Sequence, residues 1–94
     1  MAARAPHPAA FVFIQDGCPA CHDFMPKLQQ AADGFPHPLG VYDVSKGGHE
    51  TEFGNRLRVR ATPTTIVMDS AGRMHRFEGT TGVREIRALL GRAR

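Results

Sequence analysis

A chain of 94 residues with 41% hydrophobic and 22% charged residues has the size and balance of one small globular domain. The formal net charge of +3 is mild and the arginines are scattered. With no tryptophan and one tyrosine, neither the basic stripe nor the aromatic platform of a nucleic-acid binder is evident. No apolar stretch approaches the roughly 18 residues of a membrane span, and two cysteines cannot build a disulfide framework.

Residues 1–9 carry Pro6 and Pro8 among alanines and read as a flexible arm ahead of a single domain over 10–94. The opening MAARAPHPAA lacks the long apolar segment of a secretory signal, so a cytoplasmic, reducing compartment is expected. Ala10 to Ile14 is a continuous apolar run, which predicts a strand buried on both faces. Asp16 and Gly17 end it, and a helix is predicted from about Pro19 to Ala32. Cys21, Phe24, Leu28 and Ala31 recur there at spacings of three and four, so they share the core-facing side. Cys18 then sits just before the first turn, near the surface.

Leu39 to Val44 is a second strand. His49, Phe53 and Leu57 have helical spacing, against which Gly54 counts. Thr64 to Met68 is a third strand, and the turn DSAGR (69–73) leads into a fourth at Met74 to Phe77. Val83, Ile86, Leu89 and Leu90 trace one face of a last helix, with Thr81 placed to cap it. The order is β, α, β, α, β, β, α. Helical connections favour parallel pairing of the first strands, and the short turn makes the last pair antiparallel. An α/β fold is expected, with a four-stranded mixed sheet covered by helices on both faces.

Chemistry concentrates in residues 18–22, CPACH, which hold both cysteines. Taken as a helix N-cap, Cys18 places Pro19 at the first helical position, where its missing N–H costs nothing. The free amides of Ala20 and Cys21 then point toward the Cys18 sulfur. With the helix dipole, worth ~0.3–2 kcal/mol, they lower its pKa by ~0.2–1.5 from about 8.5. Cys18 is therefore the expected nucleophile. Cys21, one turn on and facing the core, is the expected resolving thiol.

Two other readings use the same residues. A zinc site needs a second ligand pair, and His7, His22, His37, His49 and His75 supply none at the usual spacing. Covalent haem fits the C-x-x-C-H pattern, with His22 proximal and Met68 or Met74 distal. Haem attachment normally requires export, however, and the strand-like runs suit a sheet better than a small helical cytochrome. Exposure on the first helical turn is the simpler expectation for His22.

A strand, CPAC and then HDFMPKL resemble the thioredoxin family, in which a helix proline also follows five residues after the second cysteine, here Pro26. RVRATPTTIVM (58–68) is similar to the family's loop and strand with a cis-proline, and DSAGRMHRFEG (69–79) to its closing hairpin. The resemblance implies a minimal thioredoxin-like core and a cis peptide between Thr62 and Pro63. It implies that Pro63 lies beside the reactive sulfur and that the Thr62 backbone pairs with substrate. Gly17 and Pro19 frame the site at the helix start.

The implied activity is thiol–disulfide exchange through Cys18 and Cys21, reducing disulfides in protein substrates, with no metal or organic cofactor. An upstream reductase or glutathione would regenerate the dithiol. A monomer is expected, with neither nucleic acid nor membrane as partner. A glutathione-linked, glutaredoxin-type reductase is the alternative, since Pro19 follows the first cysteine in the glutaredoxin order. Thr62 before the proline is more like bacterial disulfide isomerases. Two positions depart from the family: Gly17 replaces its tryptophan and Val12 its buried aspartate, leaving Asp16 or a water to accept the resolving thiol's proton. Arg56, Arg58 and Arg60 read as a solvated flank, or as a cationic rim for glutathione carboxylates.

Overall fold

The computed structural model describes residues 7–94. Most of the expected arm, residues 1–6, lies outside the described residues, and Ala9 already belongs to a strand. The elements are β1 (Ala9–Ile14), α1 (Pro19–Ala31), β2 (Leu39–Asp43), α2 (Gly48–Arg56), β3 (Thr64–Met68), β4 (Met74–Glu78) and α3 (Val83–Leu90). They form one four-stranded sheet in the order β2-β1-β3-β4. This is the expected α/β, thioredoxin-like arrangement.

Alternation along β1 separates the two layers. Ala10 and Val12 point to one face, where with Val67 they meet Phe24, Leu28 and Ala31 of α1 and Ile86 and Leu90 of α3. Phe11 and Phe13 point to the other and meet Tyr42 of β2 and Phe53 of α2. Ring centroids there lie 5.4 Å apart for both Phe–Phe53 pairs and 5.0 Å for Tyr42–Phe53. Such aromatic pairs are worth ~0.5–1.5 kcal/mol each beyond the area they bury.

Gly54 permits this second layer. A Cβ at that position would lie 2.6 Å from Val44 Cγ1, so only glycine lets α2 come so close to the sheet. Its cost within a helix, about 0.5–1 kcal/mol, is of the size the aromatic contacts offset.

Pairing differs from expectation at β3. β1 and β2 are parallel, and β3 and β4 antiparallel, but β3 runs antiparallel to β1. The reason is where α2 delivers the chain: Gly54, late in that helix, already sits by Val44 and Phe13 at the end where β1 and β2 finish, and residues 57–63 lead into β3 from there. Phe13, near the end of β1, therefore pairs with Thr64, at the start of β3. This reversal brings Pro63 to the same end of the sheet as Cys18.

Two local expectations are corrected. Thr81 does not cap α3: the N-cap is Gly82, without a side-chain bond. The Glu85 carboxylate folds back over it, so that a Cβ on Gly82 would meet Glu85 Oε2 at 2.9 Å. His49 is exposed, so the buried face of α2 rests on Phe53 and Gly54.

Candidate active site

β1 ends at Ile14, and Gly17 at φ +73° turns the chain into α1. That left-handed value favours glycine over the family's tryptophan. Cys18 is the N-cap and Pro19 occupies the first helical position. The Cys21 amide donates to Cys18 Sγ at 3.1 Å. The second expected donor, Ala20, makes no such bond; the cap is a single amide. Cys21 faces the core and is 4% exposed. The two cysteines are joined as a disulfide, with Cα atoms 5.2 Å apart.

Cys18 is less open than expected, at 7% exposure. The loop before β3 covers it. Thr62 Oγ1 donates to Cys18 Sγ at 3.4 Å, and the Thr62 carbonyl lies 3.5 Å from the same sulfur. The Thr62–Pro63 peptide is cis, as the resemblance implies, and Pro63 is buried. Cys18, Cys21, Thr62 and Pro63, distant in sequence, thus converge at the start of α1.

The loop is held from both sides. Thr64 Oγ1 donates to the Ala61 carbonyl at 2.6 Å, and Gly79 N to the Pro63 carbonyl at 2.7 Å. Earlier in the loop, Arg76 of β4 grips two successive carbonyls: Nη1 donates to Leu57 O at 2.8 Å and Nη2 to Arg58 O at 3.2 Å. Arg58 has φ +57°, the only positive value at a non-glycine among the described residues. Sequence reading missed Arg76 altogether, since its partners are backbone atoms 18 and 19 residues away. Arg56 instead pairs loosely with Glu52 at 3.9 Å, while Arg58 and Arg60 are exposed.

On the opposite flank the disulfide opens onto a cavity of about 470 Å³. Gly17, Cys18 and Cys21 line it, together with Asp16, His22, Met25 and Asp43. Asp16 is an exposed loop residue at its rim. Asp43 is a second carboxylate that sequence reading did not single out. The Ser45 hydroxyl, then the Ser45 amide, hold its carboxyl below the usual carboxylate range.

The haem ligands do not converge. His22 lies on the first turn of α1, beyond the end of β1, whereas Met68 pairs with Ala9 at its beginning and with Met74 across β4. A six-residue strand of about 20 Å separates them, too far for one iron. Among the described residues no three His, Cys, Asp or Glu side chains gather as a metal set.

A model of the thioredoxin-like domain family matches residues 1–94. The chain belongs to the thioredoxin-like family. No curated protein sequence matches it. Among solved structures it is similar to chloroplastic thioredoxin z, at 21% identity and TM-score 0.72, covering 90% of this chain and 76% of that one. Thioredoxin from Fasciola hepatica gives 20% identity and TM-score 0.73, over 92% and 81% of the two chains. MTB dsbF gives 18% and 0.74, over 90% and 79%. At these identities the likeness is one of fold. Joined to the CxxC pair, the family supports thiol–disulfide oxidoreductase chemistry in general terms.

Proposed function

We propose that the chain reduces disulfides in protein substrates by dithiol exchange, with Cys18 as nucleophile and Cys21 as resolving thiol. The observation that carries this is the capping of Cys18 Sγ by the Cys21 amide at the start of α1, with the Thr62 hydroxyl as second donor. Both donors favour the anionic form of the sulfur, and the thiolate is the attacking species.

The dithiol form starts the cycle. The Cys18 thiolate attacks one sulfur of the substrate disulfide, expels the other as thiolate and forms a mixed disulfide. Cys21 loses its proton and attacks Cys18 Sγ, releasing the second substrate thiolate. The substrate gains two electrons and the protein ends as the Cys18–Cys21 disulfide. One helical turn between the sulfurs keeps the second step intramolecular and fast. Thr62's amide has no partner within the chain among the described residues, leaving it free to pair with an extended substrate. Cys21 borders the cavity, so water there can take its proton in place of the absent aspartate at Val12.

An external dithiol reductase, acting on a monomer in a reducing, cytoplasmic setting, completes the proposal. A glutathione-linked cycle is the second reading, favoured by exposed Arg58 and Arg60 near Thr62. Reduction of a protein disulfide driven by dithiothreitol tests the assignment. Cys18→Ser is expected to fall to the uncatalysed rate, and Cys21→Ser to accumulate mixed disulfides. Full turnover by the Cys18 variant would defeat the proposal.

A further inference from the structure

The cavity beside the disulfide is lined by two carboxylates and one imidazole, that of His22. Asp16 and Asp43 both line it, and no lysine or arginine does. Ser45 ties the two acidic segments together: its Oγ accepts from the Asp16 amide at 3.2 Å and donates to Asp43 Oδ1. Ile14 and Met25 line the same cavity and offer it an apolar wall. An apolar wall beside carboxylates suits a side chain with a methylene stem and a cationic head. Arg58 and Arg60, on the loop before Thr62, lie outside the lining.

We infer that this cavity receives a basic residue next to the substrate's cystine, so that the preferred substrates are disulfides flanked by lysine or arginine. The inference rests on the oxidoreductase reading and names the substrate class of the same site. It also separates the two electron-donor readings. Glutathione carries a carboxylate on either side of its cysteine, and the acidic wall repels such a ligand while attracting a basic one.

The test compares three small disulfides with the reduced protein: cystamine, which bears ammonium groups; 2-hydroxyethyl disulfide, which is neutral; and 3,3′-dithiodipropionate, which bears carboxylates. Each rate is divided by that of dithiothreitol with the same disulfide, which cancels differences between leaving thiols. Cystamine is expected to exceed neutral 2-hydroxyethyl disulfide by about five-fold at low salt, the effect of one ion pair at contact in water, and dithiodipropionate by more. The preference should shrink in ~0.5 M salt, where the Debye length falls well below 10 Å. It should also shrink in Asp16→Asn, at an exposed position, and further in Asp16→Asn with Asp43→Asn.

Equal normalised rates in the wild type, or a preference untouched by the double substitution, overturn the inference while leaving the oxidoreductase reading intact. Failure to reduce any of the three disulfides overturns that reading itself.

Discussion

The two flanks of the Cys18–Cys21 pair are built on different principles. On the Thr62 side the loop is tied at Leu57, Arg58, Ala61 and Pro63, by Arg76, Thr64 and Gly79, and it delivers a hydroxyl to the sulfur. On the Asp16 side the wall is an open cavity, with a glycine where the family has a tryptophan. In the proposed reading the tied flank sets the reactivity of the sulfur, whereas the open flank chooses what approaches it. Substitutions on the first should change thiol chemistry for every substrate. Those on the second should change only the ranking of substrates.

The sharpest break in this comparison comes from Thr62→Val, which keeps the shape and removes the hydroxyl. It should raise the Cys18 pKa, since it removes a hydrogen bond that favours the charged sulfur. Thiol titration against pH reads it directly. An unchanged pKa would mean that the loop only covers the sulfur.

Arg76→Met tests the tied flank at a distance. Loss of the bidentate grip on Leu57 and Arg58 should lower stability by about 1–2 kcal/mol. It should slow Cys18 attack on neutral and charged disulfides by the same factor. Arg76→Lys, which keeps the charge but not the planar fork, should recover only part of this. Urea denaturation and single-turnover rates measure the two effects.

The smallest effect concerns the far end of the sheet. A hydrogen bond from His75, then those from the Arg73 and Ala71 amides, hold the Asp69 carboxyl below its ordinary value of 3.8. A lowered folded-state pKa gives stability that is present above the unfolded value and lost as pH falls through the folded one. Melting temperature should therefore decline below about pH 4, and less steeply in Asp69→Asn, with reduction rates at neutral pH unaffected.

Much of this was legible in the residues because it depends on local chemistry. The strand at Ala10–Ile14, the cap–proline–helix order at Cys18 and Pro19, and the core face of Cys21, Phe24, Leu28 and Ala31 follow from nearest-neighbour geometry. The site at Thr62 and Pro63 was legible through family resemblance, since nothing local to RATPT points at Cys18. What escaped depends on tertiary contact. The cover over Cys18 comes from a loop 44 residues away. The grip of Arg76 is made with backbone atoms, which carry no sequence signature. The antiparallel course of β3 follows from where α2 delivers the chain, beside Val44 and Phe13, and Thr81 lost its cap because α3 begins one residue later.

The central claim concerns the state of one sulfur, and iodoacetamide alkylation of the reduced protein against pH tests it most directly. Cys18 is expected to titrate below the ordinary 8.5, lowered by the helix start and further by the Thr62 hydroxyl. Cys21 is expected to stay unreactive over the same range. A Cys18 midpoint at or above 8.5 would contradict the account.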